Sequence, residues 1–358
     1  MKLALSFTVL SCAALASLAR AEAAPGDGAY LTADSLVTVG DHVLDTRLYR
    51  PAGLVRFPVV LLVFGSGDLS MKSSAAAREL TGAFTAQGIG VLAYDKRGTG
   101  ASTGAFTGSD FKALGKDAAA LVRFLRKRPE VECVGIWGIS QFGWMVPNIV
   151  RDCPDLQFAI IVSPAGVNPF EQVAWFIRQQ ALGWGLSAQE ADAADRLHRA
   201  VALYYAGRSS HSEAQAEVDR HRSARWFQRV TSHPYWDEMP SGRVLTPDSL
   251  ARALRLRPLD FEVYRAVSSF ADYRQDYAVL RGLPTLIVYG GADELVPVVQ
   301  SKPLFEDALR ADRRFPHGFR TFDGASHDIA TPDGRLLPEY LTAISEWARA
   351  RFSACRER

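Results

Sequence analysis

The chain has 358 residues, enough to bury a sizeable core either as one domain with an insertion or as two domains. A hydrophobic fraction of 48% and a charged fraction of 22% are those of a soluble globular protein. The formal net charge of +2 and the lack of any basic run leave no surface for tracking phosphates, so nucleic acid is not an expected partner and a small or neutral substrate is the default.

At the N-terminus, Lys2 precedes an apolar run from Leu3 to Leu18, and Ala19-Arg20-Ala21 and Ala21-Glu22-Ala23 both fit an A-x-A cleavage site. This pattern predicts a signal peptide over residues 1–23 and a secreted or periplasmic mature protein. The run is short and its flanks are small, unlike an anchor, and no second stretch is long enough to span a bilayer, so no stable membrane insertion is expected after cleavage. Cys133, Cys153 and Cys355 remain in the mature chain. Cys133 and Cys153 should lie at the same end of the sheet, where an oxidising compartment would let them pair; the alternative is two buried thiols packed as small hydrophobes. No Cys or His cluster has zinc spacing, and neither a metal nor an organic cofactor is expected.

Residues 25–34 read as an extended lead-in. Ser35 to Val39 and His42 to Tyr49 then alternate around Gly40-Asp41, a hairpin signal. Phe57 to Phe64 is a continuous apolar run, as expected of a parallel strand buried on both faces, and it ends in Gly65-Ser66-Gly67. A loop of such small residues lets a backbone N–H, that of Ser66, approach a reacting carbonyl oxygen. Ser73 or Ser74 can cap a helix that Gly88 stops, and Ile89 to Tyr94 is the next strand. The charged turn Asp95-Lys96-Arg97-Gly98-Thr99-Gly100 follows and reads as an ion-paired, hydrogen-bonded turn that shapes the site. Asp110 caps a helix with Phe111, Leu114, Ala118, Leu121, Val122 and Leu125 on one face.

Val131 to Gly143 reads as a buried strand, a sharp turn carrying Ser140 and the start of a helix. The N–H groups and positive dipole of that helix end suit an oxyanion forming beside the serine. Gln157 to Val162 is a further strand. From about Val167 to Leu280 the strand–helix alternation gives way to helical patches at Glu171 to Leu182, Ser187 to Tyr205 and Ser212 to Val230, and Trp175, Trp184, Trp226 and Trp236 fall within this stretch. They predict a helical cap whose aromatic residues mostly form its own core. The alternation resumes with Pro284 to Tyr289, a loop carrying Asp293, a helix through Leu309, a short strand around Phe319 to Phe322 and a loop carrying His327; Leu336 to Phe352 is an amphipathic closing helix.

Ser140, Asp293 and His327 thus fall in Gly-bearing loops after three different buried strands, where catalytic groups collect in α/β sheets. A serine hydroxyl needs a neighbouring base, and a histidine held by a carboxylate supplies one near neutral pH. The order Ser, Asp, His is that of α/β-hydrolases. Glu294 is the rival acid, Asp328 reads as a loop residue, and His42, His198, His211, His221, His233 and His317 lack this context and are expected at the surface.

The chain resembles the secreted α/β-hydrolases of the serine carboxylesterase and prolyl-oligopeptidase-like group. The resemblance is carried by Gly65-Ser66-Gly67, Tyr94 to Gly100, Gly138-Ile139-Ser140-Gln141 with Gly143-Trp144, Gly291-Ala292-Asp293 with Val296-Pro297, and Ser326-His327. It covers about residues 36–165 and 281–352, hardly touches the cap, and implies a mostly parallel sheet flanked by helices; with the cap read from the change of pattern after the sixth strand, the expected division is a hydrolase core over 24–165 and 281–358 and a helical cap over 166–280. It also implies Ser140 as nucleophile, Asp293 as acid, His327 as base, and oxyanion donors from the backbone of Ser66 and Gln141. Two residues depart from the pattern. Phe64 stands where the family often has His, and Phe142 where the elbow usually has Gly or Ala, so its ring must find room between strand and helix.

The expected activity is cleavage of carboxylic esters through an acyl-enzyme, on a small-molecule ester or a peptide-like substrate. A peptidase or amidase using the same triad is a second expectation. A non-catalytic binding protein on the same fold is a third. Oligomeric state is not readable from the sequence.

Overall fold

The structure is a computed structural model and describes residues 30–67, 70–106, 110–231, 242–249, 271–310 and 315–356. The signal-peptide pattern of residues 1–23, His233 and the aromatic Trp236 lie outside the described residues.

The first two strands, β1 (Tyr30–Val39) and β2 (His42–Pro51), form the expected hairpin, with Val39 opposite His42 and Gly40 at φ 60° in the turn. β1 starts at Tyr30, so half of the segment read as a lead-in is strand. Its polar residues obscure that reading because β1 is the sheet's edge: Asp34 there takes both Nε and a terminal nitrogen of Arg47 at 2.7 Å, while Leu31 and Leu36 face outward. The remaining strands are β3 (Phe57–Val63), β4 (Gly90–Tyr94), β5 (Val131–Ile139), β6 (Ala159–Val162), β7 (Thr285–Gly290) and β8 (His317–Phe322). Among the described residues they make one eight-stranded sheet in the order β1-β2-β4-β3-β5-β6-β7-β8. β2 pairs antiparallel with β1 and β4, and every other pairing is parallel.

Parallel strands need crossover helices, which cover both faces of the sheet and leave the strands apolar on both sides. In β3, Val59, Leu61 and Val63 point to one face and Val60 and Leu62 to the other, so the whole run is buried. On the first face lie α2 (Phe111–Arg126) and α3 (Phe142–Asp152), through Leu114, Leu121, Met145 and Ile149. On the other lie α1 (Ala75–Thr85) and the closing helix, through Leu80, Phe84, Tyr340 and Ile344. The helix starts are set by side-chain caps: Ser74 accepts from the N–H of Ala77 and Asp110 from that of Ala113, satisfying donors that the helix leaves unpaired.

After β6 come α4 (Pro169–Gly183), α5 (Ala188–Tyr205), α6 (His211–His221) and α7 (Phe227–Thr231), then α8 (Val298–Leu309) after β7 and α9 (Pro338–Arg356) after β8. Asn168 caps α4, and full capping boxes, Ser187 with Glu190 and Ser210 with Glu213, open α5 and α6. The stretch read as one helix from Ser212 to Val230 is two, broken at Arg222 to Trp226. α4 to α7 bury a cluster of their own that includes Phe176, Leu197, Val218, Trp226 and Phe227, with Trp175 and Trp184 packed at its margin. Among the described residues no helix is long and apolar enough to cross a membrane.

The expected Cys133–Cys153 pairing is not found. Cys133 bonds to Cys355, across a sequence separation of 222, and Cys153 is a buried free thiol beside the carbonyl of Ala119. The two cysteines first expected to pair are at one end of the sheet but on opposite faces: Cys153 packs with α2 and α3, whereas Cys133 points with Trp137 toward α9. On that face the indole of Trp137 also donates to Tyr340 Oη at 2.9 Å, so strand β5 and helix α9 are held together by a hydrogen bond and a disulfide.

Candidate active site

β5 runs apolar to Ile139, and the chain then reverses at Ser140, whose φ is 59°. That left-handed conformation is costly for a residue with a side chain and holds only where the surroundings impose it. Here they do. The N–H of Ser140 donates to the Val162 carbonyl at 2.8 Å, its own carbonyl accepts from Gly143 N–H at 2.9 Å, and α3 begins at Phe142. Phe142, the residue that departs from the family pattern, is 0% exposed. Its ring occupies the space that a side chain at Gly138 would fill, so the bulk at the elbow is matched by a missing Cβ four residues earlier in the strand.

Opposite the elbow, the small-residue loop after β3 comes close. A Cβ on Gly65 would lie 3.0 Å from the Ser140 Cβ, so the backbone passes directly beside the serine. Neither the Ser66 N–H nor the Gln141 N–H has a hydrogen-bond partner among the described residues, and both remain available as donors. The buried Gln141 Oε1 is likewise without a partner. The Asp95 turn braces this loop as the sequence suggested: the Asp95 carboxylate accepts from the N–H groups of Met71 and Lys72 and from Ser70 Oγ, at 2.8 to 2.9 Å. Lys96 donates to the carbonyls of Gly65 and Gly67.

β7 delivers Asp293, which turns back on itself: its Oδ1 accepts from the N–H groups of Leu295 and Val296, both at 2.9 Å. The loop after β8 delivers His327. Its Nδ1 lies 2.9 Å from Asp293 Oδ2 and 3.0 Å from Oδ1, with both side chains buried. The rival acid Glu294 is exposed beside this pair and interacts with the His327 backbone, while the imidazole ring itself is held by Asp293. His327 is 1% exposed, and its Nε2 has no hydrogen-bond partner. Ser140 and His327 are not hydrogen-bonded to each other. They are linked through consecutive residues at the end of β6: Val162 receives the Ser140 N–H, and Ser163 Oγ donates to the His327 carbonyl at 2.7 Å.

Burial pushes the His327 pKa down, but the Asp293 carboxylate, with smaller contributions from Asp328 and Glu294, pushes it up more strongly, to about 9. Burial raises the carboxyls of Glu294 and Asp328 above the usual carboxylate range. Among the described residues no group of His, Cys, Asp and Glu is placed to hold a metal ion.

Two histidines expected at the surface are buried. His198 packs against Phe170, and His42 Nε2 lies 3.0 Å from Asp117 Oδ1, a carboxylate that also takes both Nε and a terminal nitrogen of Arg97 at 2.6 Å. Asp117 looks like a surface residue in a basic, amphipathic helix. Its role depends on the Arg97 turn and the β2 hairpin meeting at that helix, and no local pattern signals that.

The arrangement fixes an imidazole on a carboxylate through Nδ1, leaves its Nε2 unpaired, and places it on a loop tied to the strand end that also holds the Ser140 elbow. Residues 58–233 match the family model described as serine aminopeptidase, S33. That span holds the Gly65 loop and Ser140, and stops before Asp293 and His327. No curated protein sequence matches the chain. Among solved structures, an esterase of Pyrococcus furiosus is similar at 16% identity and a TM-score of 0.54, over 92% of this chain and 95% of that one. A proline iminopeptidase of Mycobacterium smegmatis is similar at 16% identity and a TM-score of 0.52, over 90% of this chain and 99% of that one. DcsB, solved with a substrate analogue, gives 14% identity and a TM-score of 0.54, over 90% and 99%. Identities this low speak for the fold alone. The protein is an α/β-hydrolase-fold chain whose residues 58–233 carry the match to the serine aminopeptidase S33 family.

Proposed function

We propose that the protein is an exported serine hydrolase that cleaves carboxylic esters, with Ser140 as nucleophile, His327 as base and Asp293 as the acid that orients it. The observation that carries this reading is the buried His327, fixed on Asp293 through Nδ1 while Nε2 stays unpaired on a loop tied, one residue away, to the elbow of Ser140. In the reaction, Nε2 takes the Ser140 proton as Oγ attacks the ester carbonyl. The oxyanion forms against the N–H groups of Ser66 and Gln141. Nε2 then gives the proton to the departing alcohol, leaving an acyl-serine. Water enters, loses a proton to Nε2 and attacks the acyl carbon, and the carboxylic acid leaves as Ser140 regains its proton. Asp293 keeps the Nδ1 proton in place and stabilises the imidazolium throughout.

Helices α4 to α7 form the proposed cap, with Gln172 of α4 donating to the carbonyl of Leu295 in the Asp293 loop. Export is supported by the leader-like N-terminus and by the Cys133–Cys355 bond, which fits an oxidising compartment.

A second reading, an aminopeptidase using the same triad, is favoured by the family match and by Glu294 beside His327, an exposed acid that could face a substrate amino group. Hydrolysis of short and medium acyl p-nitrophenyl esters beside aminoacyl anilides, each with a Ser140→Ala control, separates the two. Ester turnover lost in the variant supports the esterase. Anilide turnover exceeding ester turnover, and equally dependent on Ser140, moves the assignment to the peptidase.

A further inference from the structure

Lys96 has a basic side chain yet is only 4% exposed, just past the end of β4, and is not one of the three residues assigned to the chemistry. Its Nζ donates to the carbonyl oxygens of Gly65 and Gly67, each at 2.6 Å, and lies 4.5 Å from the centre of the Phe106 ring. An ammonium is expensive to bury unless it is well bonded. The turn that carries it is fixed on both sides: Asp95 is anchored by three donors from residues 70–72, and Arg97 grips Asp117 through two bonds.

The two carbonyls that Lys96 holds flank Ser66. A trans peptide unit points its C=O and its N–H in opposite directions, and no peptide bond among the described residues is cis. Fixing the Gly65 carbonyl on Lys96 therefore fixes the opposite direction for the Ser66 N–H, in a loop whose Gly65 already lies against Ser140. A cation on that carbonyl also polarises the peptide unit and strengthens its N–H as a donor. We infer that Lys96 is a positioning residue that aims and polarises the Ser66 N–H as an oxyanion donor. The inference rests on the reading of Ser140 as nucleophile.

The test compares full-length mature protein carrying Lys96→Met or Lys96→Gln with wild type and Ser140→Ala. The readouts are kcat and KM on a p-nitrophenyl ester, inhibition by a trifluoromethyl ketone that forms a tetrahedral adduct with the serine, and thermal melting. Loss of an aimed oxyanion donor predicts a fall in kcat of about 10²-fold or more in folded Lys96→Met, with KM within about threefold and ketone affinity falling in parallel with kcat. Lys96→Gln, which keeps an N–H donor but no charge, is expected between the two; it carries the same comparison if Lys96→Met melts below the assay temperature. A purely structural lysine would lower the melting temperature and leave kcat and ketone affinity of the folded enzyme unchanged. That result, with turnover abolished in Ser140→Ala, overturns the inference alone. Turnover that survives in Ser140→Ala overturns the nucleophile reading, and the inference with it.

Discussion

His327 is under two opposed influences, and their balance sets how the proposed site responds to pH. Burial alone would hold the imidazole below its usual value of 6.5, and the neighbouring carboxylates reverse that, raising it to about 9. At neutral pH the resting ring is then mostly protonated and unable to accept the Ser140 proton. The acidic limb of kcat/KM is therefore expected above 6.5, rising into the alkaline range. Asp293→Asn removes the main raising influence and leaves the burial, so the limb should move to lower pH while kcat falls by about 10⁴-fold, through loss of the fixed tautomer. A profile in which Asp293→Asn leaves the limb in place would show that another group sets it. The same balance contributes to stability. Because the folded value is raised, the stabilisation is fully present below pH 6.5 and is lost as pH rises through about 9. Denaturant unfolding of wild type and His327→Gln should show a stability difference that shrinks across that window. The residues of the proposed triad could be picked out in the sequence because each follows its own strand, although β8, which leads to His327, is the half-exposed edge of the sheet and not the buried strand expected. The His42–Asp117–Arg97 network was not, since its three residues lie on a hairpin, a helix and a turn that only the folded sheet brings together.

The elbow works as an element because strand and helix were fitted to each other. Phe142 read as a departure from the family pattern, and its compensation, Gly138, lies in the strand, where a glycine ordinarily signals only weakness or a bulge. A residue-by-residue reading has no means of pairing the two, because their contact exists only once the chain has turned at Ser140. Phe142→Ala should cost about 3 to 5 kcal/mol, as emptying a fully buried aromatic site does. Gly138→Ala forces a methyl group into the ring and should destabilise the fold and slow reaction of Ser140 with a phosphonate. In the double variant the new methyl enters the vacated space, so the combined loss should fall short of the sum by about 1 kcal/mol or more. Simple additivity in urea unfolding would mean that the two residues do not share that space. At the opposite edge, β1 was partly hidden because its strand character comes from pairing with β2 and not from an apolar face.

At the scale of the whole molecule, the sequence showed the order of strands and helices, the position of the inserted helices and the loops bearing the proposed triad. All of these follow from apolar runs and turn residues that act locally. The disulfide was misread because it depends on which face of the sheet a side chain takes, and on a helix more than two hundred residues away. The period of two along β5 puts Cys133 on the side of Trp137 and away from Val134 and Ile136, which is the signal that could have excluded Cys153. Paired replacement of Cys133 and Cys355 by Ser should cost about 2 to 5 kcal/mol and leave the geometry of Ser140 unchanged. A melting temperature unaffected by the replacement, or by a reductant, would mean that the bond does not form in the protein. The most direct test of the account as a whole is labelling of the folded mature protein with a fluorophosphonate, read by intact mass and by mapping of the modified peptide. One adduct on Ser140, absent in Ser140→Ala and slowed by orders of magnitude in His327→Ala, is the predicted result. No adduct on folded protein, or an adduct on another residue, would contradict the central claim.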